Sequence, residues 1–286
     1  MTDGERVYAY FGNVGVFALD MEGQVVWDRF FDPSVTRLGW GPAASPVLHG
    51  DTLFVVNDND EQSFVVAFDA DTGDERWRVD RDEGTNWATP FVWENETRTE
   101  LVVAGSDRVR SYDLEGRELW NFRGLNSISI PQPFSAHELL YVTSGYVGDE
   151  VRPVFAIRPG ADGDITLMNG QQANDFIVWY DGTAGPYHPT PLVYGDYYFT
   201  LLDQGFYTVH DAHTGDLGAR ADLGGVAHAQ QTHRRVHVRA HDRRATDGAV
   251  IADARVGTHL SAPSNGHVGT DDGTGPHARP GSHDRV

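Results

Sequence analysis

Three histidines near the C-terminal end of the chain have the spacing of a metal site. His233, His237 and His241 stand at i, i+4 and i+8, which on a helix would place three imidazoles on one face, where they could bind Zn²⁺ or Ni²⁺. The surrounding arginines would repel a cation, and residues 228–248 contain no Phe, Tyr, Trp, Leu or Ile to anchor a helix. Irregular or out-of-frame sequence, in which His/Arg runs arise readily, is therefore the favoured interpretation.

The acidic segment DADTGDE (69–75) resembles half of a calcium-binding loop. Asp69, Asp71 and Gly73 come in the right order, but Asp80 stands where such a loop needs a bidentate Glu. A hairpin turn is the favoured interpretation. A second acidic segment, NDNDEQ (57–62), is denser, and we interpret it as a solvated loop between two strands rather than as a cation site.

No catalytic constellation stands out elsewhere in the sequence. There is no Ser-His-Asp, HExxH or P-loop pattern. The absence of Cys rules out disulfides and thiolate metal sites. Trp87, in EGTNWATP, is the best single candidate for a ligand contact, with packing as the alternative. The sequence thus predicts neither catalytic nor metal-binding residues.

The elements that would position these residues form a repeat. Each copy reads as a strand, an Asp-to-Gly turn and a second strand that contains Trp. Asp bonds nearby backbone N–H groups in such turns, and Gly supplies positive φ. The copies are FALDMEGQVVW (17–27), AFDADTGDERW (67–77), RSYDLEGRELW (110–120) and a weaker TVHDAHTGDLGAR (208–220) without the Trp. The predicted structural residues are Gly23, Gly73, Gly116, Gly215, Trp27, Trp77, Trp120 and Trp179, the indoles packing between sheets.

A second marker, a proline before a pair of short strands, sets the length of the unit. Pro46, Pro90, Pro133 and Pro191 are spaced by 44, 43 and 58 residues, and the long interval holds the polar insertion GADGDITLMNGQQAND. Four short strands in a unit of about 43 residues are typical of a β-propeller blade. The sequence therefore predicts an all-β protein made of four-stranded antiparallel blades.

The repeat resembles the PQQ-binding-like, or quinoprotein-like, β-propeller family, through the Asp-Gly-Trp turn and strand after each Pro strand. The resemblance covers residues 5 to about 225 and implies about four and a half blades of a probable eight-bladed ring, so that the chain is expected to be partial. Residues 1–225 form the predicted propeller part. Residues 226–286 form a predicted non-propeller tail, disordered or out of frame, because no Ser/Thr-Pro strand begins a blade there.

Composition excludes some partners. Residues 1–225 carry 14 Arg and 36 Asp plus Glu, and no Lys, so this part would repel nucleic acid and anionic membranes. No apolar run is long enough to span a membrane. The N-terminal MTDGERVYAYFG lacks the features of a signal peptide, although the resemblance implies a periplasmic or secreted protein.

The resemblance implies two possible functions. One is a non-catalytic extracytoplasmic module that binds a protein or a saccharide. The alternative is a PQQ-dependent oxidoreductase, in which the resemblance implies Ca²⁺ beside the cofactor and typically a vicinal disulfide. The chain has no Cys and no metal triad that can be carried over from the family, so we favour the first function and expect neither PQQ nor Ca²⁺.

Overall fold

The computed structural model describes residues 1–203 and 205–222, and for residues 219–222 the backbone alone. The predicted tail and its three spaced histidines lie outside these residues. Within them the middle strands of the inner sheets are buried at nearly every position, which is the pattern of sheets packed on both faces. The described part contains no α-helix and one 3₁₀ turn, Arg37–Gly39. It contains no helix long and apolar enough to cross a membrane.

The strands form five sheets, here called blades 1 to 5, each an antiparallel meander in chain order. Blade 1 has three strands among the described residues. Blade 1 consists of β1 (Arg6–Tyr10), β2 (Gly15–Asp20) and β3 (Val25–Phe30), and blade 2 of β4 (Val47–His49), β5 (Thr52–Asn57), β6 (Ser63–Asp69) and β7 (Glu75–Arg81). Blade 3 consists of β8 (Phe91–Glu94), β9 (Thr99–Ala104), β10 (Arg108–Tyr112) and β11 (Glu118–Arg123), and is joined by β15 (Gly163–Asp164) from the chain of blade 4. Blade 4 consists of β12 (Phe134–Ala136), β13 (Leu139–Thr143), β14 (Val154–Ile157) and β16 (Ile177–Asp181), and blade 5 of β17 (Leu192–Tyr194), β18 (Tyr197–Leu201), β19 (Phe206–Asp211) and β20 (Leu217–Asp222).

The blades stack in chain order through apolar layers. Four clusters of buried residues join blade 1 to 2, 2 to 3, 3 to 4 and 4 to 5. Each cluster draws on one face of each of two neighbouring sheets, so an inner blade is covered on both faces. The prediction of an all-β, blade-by-blade architecture is confirmed.

The polar insertion between β14 and β16 is more than the loop that the sequence predicted. Its β15 pairs in parallel with Trp120 and Asn121 of β11, the outer strand of blade 3. The N–H of Ile165 donates to the carbonyl of Asn121 at 2.9 Å, and the Ile165 side chain is buried between blades 3 and 4. The insertion of blade 4 therefore covers the edge of blade 3, where unpaired backbone groups would otherwise lie open.

Each Asp-to-Gly turn is closed by its Asp. In the turn of blade 2, for example, Asp69 Oδ1 accepts the backbone N–H groups of Asp71 and Thr72 at 3.0 and 2.9 Å. The aspartates of the other three turns do the same; they are Asp20, Asp113 and Asp211. The glycines of these turns have positive φ, between 71° and 89°.

A tryptophan of one blade rests on the glycine turn of the next blade, an arrangement we call the tryptophan–turn contact. The indole N–H also donates to a carbonyl of that turn. It occurs three times, with Trp27 on Gly73 and the Ala70 carbonyl (2.9 Å), Trp77 on Gly116 and the Leu114 carbonyl (2.7 Å), and Trp179 on Gly215 and the Ala212 carbonyl (2.9 Å). A side chain in place of each glycine would overlap the ring, because an added Cβ would lie within 2.8 Å of it.

Trp120 has the same register as the other three tryptophans but a different partner. It pairs with Ser111 next to a bulge, as Trp77 pairs with Ala67 next to a bulge. Blade 4 carries its insertion where the Asp-to-Gly turn would follow. The Trp120 indole instead donates to Glu100 Oε2 of its own blade at 2.6 Å, and Ser111 Oγ donates to the same oxygen.

The tryptophan–turn contact predicts that substitution by Ala destabilises the fold more at one turn glycine than at another. Gly23 and Gly73 both have positive φ, but an added Cβ meets nothing within 4 Å at Gly23 and meets the Trp27 ring at 2.6 Å at Gly73. We expect Gly23→Ala to cost about 1 kcal/mol from backbone strain alone. Gly73→Ala should cost a further ~1–3 kcal/mol from overpacking. Denaturant unfolding measures both, and equal losses would contradict the contact.

The boundary between blades 4 and 5 predicts a pH dependence. His210 Nε2, on β19, lies 3.2 Å from Asp181 Oδ2, on β16, and this hydrogen bond lowers the pKa of Asp181 from 3.8 to about 2. Because the ionised Asp181 is favoured in the folded state, the pair stabilises the fold at pH values above 3.8, the ordinary pKa of Asp. This stabilisation is lost as the pH falls through about 2. The difference in unfolding free energy between the native chain and Asp181→Asn should therefore shrink from pH 3.8 towards pH 2. A difference that stays constant would contradict the pair.

Candidate functional site

The loops of one end of the blades form a single surface, here called the loop face. In a four-stranded meander the turn between the second and third strands lies at the same end as the exit of the fourth strand. The face therefore combines the hairpin loops 58–62, 105–107 and 144–153 with the between-blade connections 31–46, 82–90, 124–133 and 182–191. Hydrogen bonds between consecutive loops confirm that they meet.

The acidic segment 57–62 is largely buried, and our prediction of a solvated loop is wrong for its first half. Asn57, Asp58 and Asn59 are at most 2% exposed. Asp58 receives two hydrogen bonds from the Arg81 guanidinium, at 2.9 and 3.2 Å, and both side chains are buried. Burial raises the pKa of Asp58 against the opposing effect of Arg81. The sequence pattern missed this because the cation comes from the end of β7.

The remaining acids of the segment connect it to the neighbouring loops. Asp60 Oδ1 accepts the N–H and the hydroxyl of Thr85 at 2.9 and 2.7 Å. The Thr85 hydroxyl accepts the N–H of Arg37 at 2.9 Å, and Glu61 accepts the N–H of Val35. These bonds hold together the two loops on either side of blade 2.

Glu83 does the same for blades 2 and 3. Its carboxylate accepts the N–H and hydroxyl of Ser106 at 2.8 and 2.9 Å, and it pairs with Arg110, a buried side chain of β10. Arg110 also pairs with Asp82. The carboxylates at this boundary are thus engaged with groups of the protein itself.

Trp87, the predicted ligand contact, lies on the loop face beside a second tryptophan. Its indole N–H donates to the Gly41 carbonyl at 2.7 Å, and its ring centre is 5.7 Å from that of Trp40. Trp87 is half-buried, whereas Trp40 is 55% exposed. Between Arg37 and Trp40 the 3₁₀ turn presents Leu38, which is 78% exposed and has a positive φ of 53°. Trp40 is therefore the more accessible indole of the pair.

Arg37 continues this surface towards blades 4 and 5. Its guanidinium lies over the Tyr146 ring, 5.5 Å from the centroid, and the Tyr146 ring is 5.3 Å from that of Tyr187. Burial raises the pKa of Tyr187, with Tyr146 and Asp203 adding to the effect and Arg37 opposing it. Five side chains from four loops thus lie in a row, here called the aromatic strip; they are Trp87, Trp40, Arg37, Tyr146 and Tyr187.

The strip ends at a polar pair in blade 5. Asp203 accepts the N–H of Tyr187 at 3.0 Å and contacts Nδ1 of the exposed His188 at 2.9 Å. Halfway along, Asp149 accepts the N–H and hydroxyl of Ser127, whose carbonyl contacts Arg37. The strip is therefore bordered by carboxylates that already have hydrogen-bond partners.

A cleft of about 400 Å³ opens at the boundary of blades 1 and 2. Its walls are formed by residues 30–34 and by Asn57, Asn59 and Phe64. Arg78 lies over the Phe64 ring at 4.2 Å, so the cleft repeats the combination of arginine and aromatic ring found in the strip. Sequence reasoning did not single out this position, since its residues come from two blades.

The other acidic candidate, residues 69–75, is the turn of blade 2, on the opposite end of the sheet. Its carboxylates pair with arginines, Asp71 with Arg6 and Asp69 with Arg76. Asp80 lies along β7, apart from the turn. These ion pairs and the Asp69 turn bonds use the oxygens that a Ca²⁺ ion would need.

The loop face does not fit a quinone cofactor with its calcium ion. A Ca²⁺ site needs several oxygen ligands free to converge. The loop-face carboxylates described above are instead bonded to Arg81, Arg110, backbone N–H groups or hydroxyls. The arrangement is one of exposed aromatic rings on a fixed frame, which suits recognition.

Fold and loop face define a β-propeller built of PQQ-like repeats. The model of the family described as outer membrane protein assembly factor BamB matches residues 11–252, and the chain belongs to this family. No curated protein sequence matches it.

Two solved structures show the same fold. BamB from Moraxella catarrhalis is similar over 77% of this chain and 59% of its own length, with 18% identity and a TM-score of 0.53. A europium-containing methanol dehydrogenase is similar over 77% and 50%, with 14% identity and a TM-score of 0.55. The chain therefore spans half to three-fifths of the length of these structures.

The buried pair beneath the loop face predicts an asymmetric response to mutation. Removing one partner leaves an uncompensated buried charge, so Asp58→Asn should cost about 3–5 kcal/mol. Asp58→Leu combined with Arg81→Met removes both charges and should recover most of that loss. Urea unfolding of the two variants tests this, and a double variant as unstable as the single one would contradict it.

Proposed function

We propose that the chain is the binding part of a non-catalytic, extracytoplasmic scaffold protein, and that the aromatic strip binds a protein partner. The observation that carries the proposal is the row of rings and one guanidinium in the strip. They come from the connections between blades 1 and 2, 2 and 3, and 4 and 5, and from the 144–153 loop of blade 4. Arg, Tyr and Trp are the residues that most often dominate protein–protein binding energy. Here all three types lie side by side and accessible on one surface.

The hydrogen-bonded loops that carry the strip favour binding without large rearrangement. Hydrogen bonds accepted by Asp60, Glu83 and Asp149 fix the loops that carry the rings. Fixed loops lose little conformational entropy when a partner docks, which favours affinity. The exposed Leu38 and Trp40 would add apolar area at one end of the strip.

The family supports a protein rather than a saccharide as the partner. Its description names an outer membrane protein assembly factor, and one similar structure is a BamB. An assembly factor for outer membrane proteins works outside the cytoplasm. We propose an extracytoplasmic location for this reason. PQQ-dependent oxidation is the alternative function, supported by the likeness of fold to a methanol dehydrogenase and opposed by the engaged carboxylates.

A photo-reactive amino acid placed on the strip tests the proposal. Introduced at Tyr146 or Trp40 in the native host, it should crosslink to a discrete protein, whereas the same group at Glu96, at the other end of blade 3, should not. With the captured protein purified, Arg37→Ala and Tyr187→Ala should each weaken binding about tenfold or more, as hot-spot residues do. Glu96→Gln, at the other end of blade 3, serves as the control variant.

Three results would contradict the proposal. Crosslinks equal at both ends of the blade would show that the strip is not the binding surface. Binding of purified oligosaccharides, lost in Tyr187→Ala, would identify a saccharide ligand instead. Stoichiometric binding of added PQQ and CaCl₂, with alcohol-dependent dye reduction, would establish the oxidoreductase.

A further inference from the structure

Three turns at the end opposite the loop face bring two histidines and an aspartate together. His137 lies in the turn between β12 and β13 of blade 4. Asp196 and His213 lie in the β17–β18 and β19–β20 turns of blade 5. One ligand atom of each residue lies within 4.8 Å of the other two, and all three side chains are exposed. The group therefore bridges blades 4 and 5 beside their apolar layer and the Trp179–Ala212 hydrogen bond.

The distances leave room for an ion between the side chains. The two imidazole centres are 4.6 Å apart, and His213 Nε2 is 3.7 Å from Asp196 Oδ1. Ligands of a tetrahedral Zn²⁺ at about 2.0–2.1 Å lie roughly 3.4 Å from one another. The side chains would therefore move by about an ångström, which exposed rotamers allow.

The orientation of His137 favours ligation. Its Nε2 lies 2.8 Å from the Gly195 carbonyl, which can only accept a hydrogen bond. Nε2 therefore carries the hydrogen, and Nδ1 keeps its lone pair for a metal. Histidine ligands in metalloproteins are held in this way by a bond from their second ring nitrogen.

His213 is also held before any ion binds. The backbone N–H of His213 donates to Asp211 Oδ1 at 2.9 Å, which fixes the turn that carries the ring. The same turn receives the tryptophan–turn contact of blade 4, in which Trp179 donates to the Ala212 carbonyl. The turn that carries one ligand is thus fixed against the blade that carries another.

His137 departs from the repeat at a position that favours glycine. In blades 1, 2 and 5 one strand residue pairs with the Asp of the Asp-to-Gly turn. The residue two places before it is Gly4, Gly50 or Gly195, each with positive φ. His137 has φ of 52° at the same position, where an L side chain is strained.

We propose that His137, Asp196 and His213 form a site for a divalent transition-metal ion of the zinc type, with the remaining position taken by water. Two imidazoles and a carboxylate are ligands that Zn²⁺ uses in three-ligand sites. The bound ion links blade 5 to blade 4. The site is separate from the aromatic strip and does not depend on the proposed function.

Zinc titration of the full chain, with variants that do not weaken the fold, tests the site. His137→Gly restores the residue used at this position in the other blades, so it should raise the unfolding midpoint without metal while lowering the affinity for one Zn²⁺ at least tenfold. His213→Asn should give the same loss. His188→Asn, which removes an exposed histidine of the loop face, and a combined His233, His237 and His241→Asn variant should retain the site.

Amide hydrogen exchange locates the ion independently of the titration. Added ZnCl₂ should slow exchange in the turns around residues 137, 196 and 213 of the native chain and of His188→Asn, but not of His137→Gly. Zinc affinity and stoichiometry in His137→Gly equal to those of His188→Asn would overturn the proposal. So would zinc protection that misses these turns.

Discussion

An indole seated on a glycine turn is the interaction on which the rest of this structure depends. Apolar layers alone would hold neighbouring sheets together but would tolerate sliding. The hydrogen bond from Trp27, Trp77 or Trp179 to one carbonyl of the next blade fixes the offset between the two sheets. Glycine is required beneath the ring for space as well as for its positive φ. Where the turn is absent, after Trp120, a buried carboxylate from Glu100 and the added strand β15 take over.

The tryptophan–turn contacts fix the offset between neighbouring blades at one end. The loops at the other end, the loop face, are therefore held in fixed relative positions. Successive between-blade connections lie close enough for Asp60 and Glu83 to bond across them. Those acids hold the loops, and the aromatic rings and Arg37 lie on the surface among them. The two ends of the blades thus differ in kind, one formed of hydrogen-bonded turns and the other of rings on loops.

Local sequence patterns predicted the parts of this structure that each blade builds alone. The Asp-to-Gly spacing gave the turns, and the Pro spacing gave five sheets with an incomplete first one. The patterns failed where the partner is remote along the chain. Nothing near Asp58 indicates that Arg81 will bury it, and nothing near residue 163 indicates pairing with β11. The ligand contact predicted at Trp87 stays a prediction, and the neighbouring Trp40 and the Arg37–Tyr146 stacking depend on loops of different blades.

The tryptophan–turn contact also gives each blade a direction. A blade offers an indole on one side and a glycine turn on the other, so two blades cannot meet through identical sides. Such head-to-tail association ends only by closing into a ring, and otherwise continues as an open array. On blade 1 the Gly23 turn carries no indole from the described residues, and Met21 and Val25 beside it are more than half exposed. That side is an acceptor of defined geometry, to which a further unit of this repeat can add in one orientation and one register.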